Sequence, residues 1–162
     1  MDARAELIDL LRENARYSVE DLARLSGLEE SAVEETIAAL ERDGVLCGYQ
    51  AVVDWRRVES ESVRAFVELN VALDRETSYE DIARRLAKFD EIQSLRLVSG
   101  DYDFALDVEA DSMGAVSRFV SERVAPVPEV TQTVTHYIME SYKERGIEFD
   151  DGYDDDRLSV TP

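Results

Sequence analysis

Cysteine, histidine and tryptophan each occur once in 162 residues, and lysine only at positions 88 and 143. Each scarcity closes off a class of function. The lone Cys47 can form neither an internal disulfide nor a thiolate metal cluster, and it fits a reducing compartment; its plain reading is a small packed residue. A single histidine rules out paired imidazole ligands, and neither a nucleophile elbow nor a phosphate-binding loop is present. No apolar run approaches the roughly 20 residues that cross a bilayer, and residues 1–16 alternate charge with leucine instead of offering a signal core. The chain is therefore expected to be a soluble protein of the cytoplasm, with no membrane contact, no cofactor and no metal.

What is abundant is acid: 37 Asp and Glu against 18 Lys and Arg, a formal charge of −19. An anionic protein is repelled by phosphates, so composition alone argues against nucleic acid. Scarce lysine with abundant acid suits molar internal salt, where the Debye length falls to about 3 Å, and equally a GC-rich mesophile. A hydrophobic content of 44% is enough for a core in one ordinary domain or two small ones.

Residues 5–13 place Leu7, Ile8, Leu10 and Leu11 on one helical face. Ser18, followed three positions later by Asp21, is a loose capping box opening a short helix that carries Leu22, Ala23 and Leu25 and stops at Gly27. Val33, Ile37 and Leu40 then recur at helical spacing up to Asp43, where Gly44 supplies a left-handed cap. A short helix, a glycine turn and a longer helix read as a helix-turn-helix, with a plain three-helix packing module as the alternative. Charge favours the alternative. Residues 1–50 hold five basic against twelve acidic residues, and Glu29, Glu30, Glu34, Glu35 and Glu41 stand where a recognition helix normally shows Arg, Lys, Asn or Gln.

Residues 45–55 abandon the helical period for an apolar, β-prone run that predicts a connecting strand, and the charged residues 56–62 mark a domain boundary. From Val63 the odd positions through Leu73 are apolar, a strand with one buried face. Thr77 and Ser78 can cap a helix carrying Ile82, Ala83, Leu86 and Phe89. Two strands then alternate across Gly100-Asp101, where Gly100 suits the first central position of a type II′ hairpin turn. Asp111 and Ser112 cap a second helix that ends before Pro126 and Pro128, and a last strand spans residues 130–139. The order βαββαβ predicts a ferredoxin-like sheet with both helices on one face. Thr131, Thr133, Thr135, Tyr137 and Met139 share one face of the last strand and Val130, Val134 and Ile138 the other. Neither face is wholly polar, so a second sheet stacked on the open face is expected.

The run Leu97-Val98-Ser99-Gly100-Asp101-Tyr102-Asp103-Phe104 resembles the signature hairpin of the Lrp/AsnC (feast/famine) transcriptional regulators. The apolar stretch over 45–55 resembles the family's segment after the recognition helix, which pairs with its counterpart in the partner subunit; Thr135-His136-Tyr137-Ile138-Met139-Glu140 resembles the family's last strand, and Tyr142-Lys143-Glu144-Arg145-Gly146 the ending of one branch of it. With the helix-turn-helix, the resemblance covers nearly the whole chain to Gly146. It implies an α+β chain with a winged-type helix-turn-helix over 1–46, a strand connector over 47–61, a ferredoxin-like RAM domain over 62–146 and an acidic tail over 147–162. The implied function is a transcriptional regulator that binds double-stranded DNA, assembles as a homodimer or higher homo-oligomer, and answers to a small effector, usually an amino acid.

Carried onto this chain, the DNA-contacting set is Ser31, Ala32, Glu35 and Thr36, with Arg24 and Arg42 near phosphates. Threonine reads thymine by its methyl and glutamate accepts from cytosine N4. The effector set is Ser99, Gly100, Asp101, Tyr102 and Asp103, with Thr131, Thr133 and Thr135 from a neighbouring strand. A carboxylate there suits an ammonium and turn amides suit a carboxylate, although both aspartates can equally serve the turn. Two other functions compete. One is a ligand-sensing oligomer with little DNA affinity. The other is an enzyme like the tetrapyrrole decarboxylases of haem synthesis, whose His-Asp-Tyr-Asn type of hairpin is replaced here by Gly100-Asp101-Tyr102-Asp103; the chain is expected not to be an enzyme. His136 is read as a packed or capping imidazole, and the acids of residues 150–156 lack EF-hand spacing.

Overall fold

The computed structural model describes residues 2–59 and 62–149; most of the expected acidic tail, from residue 150 on, lies outside them. The chain forms two units, divided between Val53 and Asp54.

In the first unit, Asp2 caps α1 (Ala3–Glu13), and Ser18 with Asp21 completes a reciprocal capping box at the start of α2 (Val19–Ser26). The Asp21 N–H donates to Ser18 Oγ at 3.0 Å and the Ser18 N–H to Asp21 Oδ2 at 3.3 Å. Gly27, at φ +72°, turns the chain into α3 (Glu30–Arg42), which starts from Glu29 without a side-chain cap. Leu7, Leu11, Leu22 and Val33 form the buried centre, so each helix contributes an apolar face, as the spacing requires.

The strand expected over 45–55 does not form. The N–H groups of Val45 and Leu46 both donate to the Leu40 carbonyl, at 2.9 and 3.1 Å, Leu46 packs against the three-helix core, and the Tyr49 hydroxyl donates to Glu41 Oε1 at 2.9 Å. Trp55–Arg57 is a 3-10 turn capped by Asp54. Between α3 and the first strand of the second unit, the described residues hold neither a ladder nor a hairpin wing. A strand needs a partner strand for its amides, and among the described residues the run pairs with none.

The second unit follows the expected order: β1 (Val63–Val71), α4 (Tyr79–Leu86), β2 (Ile92–Leu97), β3 (Phe104–Ala110), α5 (Met113–Phe119) and β4 (Val130–Tyr137). The sheet runs β2-β3-β1-β4, antiparallel throughout. Ala65, Val67 and Leu69 of β1 and Phe104, Leu106 and Val108 of β3 are buried with Ile82 and Leu86 of α4 and Val116 and Phe119 of α5. Both helices therefore cover one face. α5 runs into a π turn, Val120–Val124, closed by the Ala125 N–H on the Val120 carbonyl at 2.8 Å.

Register decides what each face carries. Thr133 pairs with Leu69, Thr135 with Val67 and Tyr137 with Ala65, so these three lie on the helix-covered face. The open face presents Phe66, Glu68, Ala105, Asp107, Val134 and His136. Three boundaries differ from expectation. β1 stops at Val71, because the ladder with β4 shifts there and the Ala72 N–H goes to the Glu129 carbonyl at 2.8 Å. α4 stops at Leu86, short of Phe89, and β4 stops at Tyr137, leaving Met139 90% exposed.

The boundary expected at 146/147 falls inside a small hairpin, β5 (Lys143–Glu144) with β6 (Ile147–Glu148). Its turn residues, Arg145 and Gly146, both have positive φ, +46° and +87°. Both values suit a tight two-residue connection.

Candidate functional site

On α3 the side chains opposite the buried Val33 and Leu40 are Ser31, Glu34, Glu35, Ala38 and Arg42, all exposed. Of the residues expected on DNA, Ser31, Glu35 and Arg42 lie on this face. Ala32 and Thr36 are half-buried on its flank, and the Thr36 hydroxyl donates to the Ala32 carbonyl at 2.7 Å, an internal bond that occupies its proton. Arg24 is exposed on α2 and pairs with Asp21 at 3.2 Å; so solvated a pair holds the guanidinium only weakly. Hydrogen bonds from Ser18, then Arg24, keep the Asp21 carboxyl below the usual carboxylate range. Ala38 was missed by sequence reading, although its position seven after Ser31 places it on the same face.

The hairpin tip closes differently from the expected two-residue turn. The Val98 N–H donates to the Asp103 carbonyl at 2.9 Å, so Ser99, Gly100, Asp101 and Tyr102 form a four-residue loop, with Gly100 at φ +137°. No atom lies within 4 Å of a Cβ added at Gly100, so the backbone angle and not space calls for glycine. Asp101 is exposed, while Tyr102 is half-buried with its ring edge-on to Phe66 at 6.1 Å. The Asp103 carboxylate accepts from the Val71 N–H at 2.9 Å and from the Tyr79 hydroxyl at 3.3 Å. Its negative charge pushes the Tyr79 phenol above its ordinary pKa. Asn70 Nδ2 donates to the Asp101 carbonyl at 3.3 Å.

Ser99 to Asp103 are thus together, and Thr133 shares their end of the sheet, separated by β1 at Leu69. That is two strand spacings, about 10 Å. Thr131 lies at the irregularity between the Asn70 and Val71 pairings, and Thr135 is two residues farther along the helix-covered face. Asn70 and Tyr79 were not among the expected site residues; the polar Asn70 at the end of an apolar strand was the available signal.

Comparison with known proteins matches both units. The profile of the AsnC-type helix-turn-helix domain covers residues 5–41, and that of the Lrp/AsnC ligand binding domain covers residues 64–147. The chain belongs to the Lrp/AsnC family. YugG, an HTH-type transcriptional regulator of Bacillus subtilis, is 35% identical over 158 residues, which is 97% of this chain and 95% of the relative. Among solved Lrp/AsnC structures, the leucine response regulatory protein LrpA of Mycobacterium tuberculosis superposes with a TM-score of 0.72 at 26% identity, over 90% of this chain and 96% of that one. A transcriptional regulator of Neisseria meningitidis, solved as a complex with L-Met, superposes with a TM-score of 0.67 at 22% identity, over 89% and 92%. In this chain an AsnC-type helix-turn-helix domain precedes an Lrp/AsnC ligand binding domain with a four-stranded antiparallel sheet.

A cleft of about 390 Å³ lies at the other end of the sheet, lined by Trp55, Arg64, Met113, Tyr137, Ile138 and Phe149 among others. Its polar groups are engaged within the chain: Arg64 Nη2 with Ser141 Oγ at 3.1 Å, and the Tyr137 hydroxyl with the Met113 carbonyl at 3.1 Å. Among the described residues, no group of three or more His, Cys, Asp or Glu could hold a metal ion, and no helix is long and apolar enough to cross a membrane.

Proposed function

We propose that this protein is a cytoplasmic, non-enzymatic regulator of the Lrp/AsnC family. It binds DNA through the exposed face of α3 and changes its occupancy when an amino acid binds at the hairpin tip. The observation that carries the reading is the pairing, in one chain, of a helix-turn-helix with a ligand-binding domain whose tip leaves the Asp101 carboxylate facing solvent. Ser31, Glu35 and Arg42 are the base- and phosphate-facing candidates on α3, with Arg24 near a phosphate. At the tip, Asp101 meets the ammonium, and the loop amides meet the carboxylate. Leucine and methionine are the amino acids to test, since solved relatives carry a leucine-response name and a bound L-Met. A second copy stacked on the open face around Phe66 and Val134 completes the assembly.

Gel-shift titration on the promoter region next to the protein's own coding sequence, at low and high salt, with and without each amino acid, tests this. A shifted band that responds to one amino acid is the expected result. One observation favours a second reading: Glu34 and Glu35 stand exposed on the face offered to DNA. If no band shifts under any condition, the protein is a ligand-sensing oligomer that acts through protein partners.

A further inference from the structure

Every polar group of Asp103 is engaged inside the chain. Its N–H donates to the Leu69 carbonyl at 3.0 Å and its carbonyl accepts from the Val98 N–H at 2.9 Å. One carboxylate oxygen accepts from the Val71 N–H and the other from the Tyr79 hydroxyl. A single half-buried side chain thus joins the hairpin, the end of β1 and the first residue of α4. Asn70 adds a second strut through its bond to the Asp101 carbonyl. The Asp101 carboxylate is unlike its neighbour: among the described residues it has no hydrogen-bond or ion-pair partner.

The two aspartates of the tip therefore have different work available to them. A carboxylate that already accepts from an amide and a phenol must give up or share those bonds to bind an ammonium, and stranding the Val71 amide is costly. A free, exposed carboxylate carries no such penalty. We propose that Asp103 is a positioning residue and not an effector contact: its bond to the Tyr79 hydroxyl sets the conformation of the tip against α4, so that Tyr79 governs effector affinity without touching the effector. The proposal rests on reading the tip as the effector site. The raised pKa of the Tyr79 phenol agrees with it, because the hydroxyl stays protonated and donating across the neutral range. The Tyr79 ring has its own support, packed edge-on to Phe104 at 5.9 Å, so removing the oxygen leaves the ring in place.

The test uses the full chain as wild type, Tyr79→Phe, Asp103→Asn and Asp101→Asn. Hydrogen exchange of the Val71, Val98 and Asp103 amides, whose bonds close the tip, needs no effector. In Tyr79→Phe it should quicken by about three- to tenfold, the factor expected for one lost hydrogen bond, while the β1–β3 ladder and the melting temperature stay near wild type. Calorimetry with L-leucine and with L-methionine is the second readout. Asp101→Asn should abolish binding, and Tyr79→Phe should weaken it by a similar three- to tenfold factor. Unchanged tip exchange in Tyr79→Phe overturns the proposal whether or not either amino acid binds. So does loss of binding in Asp103→Asn alongside wild-type affinity in Tyr79→Phe, which would make Asp103 a contact. Wild-type affinity in Asp101→Asn counts instead against the effector-site reading, and the exchange result then decides the positioning role by itself.

Discussion

Glu35 and Thr36 are neighbours on α3 and meet solvent differently. Glu35 is exposed on the face away from the core, whereas Thr36 is half-buried with its hydroxyl on the Ala32 carbonyl. Thr36→Ala should therefore alter preference for a target site less than Glu35→Ala or Ser31→Ala, as competition gel shifts against scrambled DNA will show. Glu34→Arg with Glu35→Arg should raise non-specific affinity and steepen the salt dependence by about one logarithmic unit for each arginine that reaches a phosphate. An unchanged salt slope would mean that this face does not meet DNA. Asp21 and Asp81 make a prediction about acid. Each closes a capping box, with Ser18 and Ser78 respectively, and the serine hydrogen bonds hold both carboxyls below the usual range. A carboxyl depressed in the folded state contributes stability above its unfolded pKa, near 3.9, and that contribution is lost as pH falls through the folded value. Melting temperature should thus fall below about pH 4 more steeply in wild type than in the double variant Asp21→Asn, Asp81→Asn.

At the scale of elements, Arg56 helps to hold the last described hairpin, beside Arg64, which reaches Glu144 at 3.8 Å. Arg56 makes two 2.9 Å ion contacts with Asp54, pairs with Glu140 at 3.3 Å, and lies over the rings of Tyr142 and Phe149 at 5.9 and 5.7 Å. Arg56→Ala should quicken amide exchange across residues 142–149, including the Phe149 N–H that donates to the Tyr142 carbonyl, and leave β1 and β3 protected. The central strands carry a different weight. Leu106 of β3 is fully buried between the helices and β1. Leu106→Ala should cost about 2–5 kcal/mol in denaturant unfolding, because packed surroundings refill such a cavity only in part.

For the whole molecule, the open sheet face and the unpaired run over 45–53 both bear on assembly. Phe66 and Val134 sit near the centre of that face, flanked by the Arg96–Asp107 pair at 3.1 Å and by His136 on Glu68 at 3.1 Å. Sedimentation should show a dimer or larger species at micromolar concentration, and Phe66→Asp with Val134→Asp should shift it to monomer without unfolding it. A monomeric wild type would refute the stacked arrangement. With a charge of −19 and few cations on α3, tight DNA occupancy then requires several linked heads on adjacent sites.

Capping boxes, helical spacing and strand alternation act between residues a few positions apart. The sequence by itself therefore determined the three helices, the βαββαβ order, the buried odd positions of β1 and the exposed acids of α3. Ser18 and Asp21 are legible because both partners of the bond lie three residues apart. The signature hairpin was legible as a turn, but its loop length was not, since a closing pair at Val98 and Asp103 depends on β1 lying alongside. Only the tertiary structure decided which aspartate of the tip keeps a carboxylate without a partner among the described residues. The partners of Asp103, Val71 and Tyr79, are more than twenty residues away, and no local pattern announces them. The same holds for the threonines of β4, whose face followed from register with β1 and not from their own alternation. The run over 45–55 carries strand composition without strand structure here, because β-propensity is satisfied only when a partner strand accepts its amides.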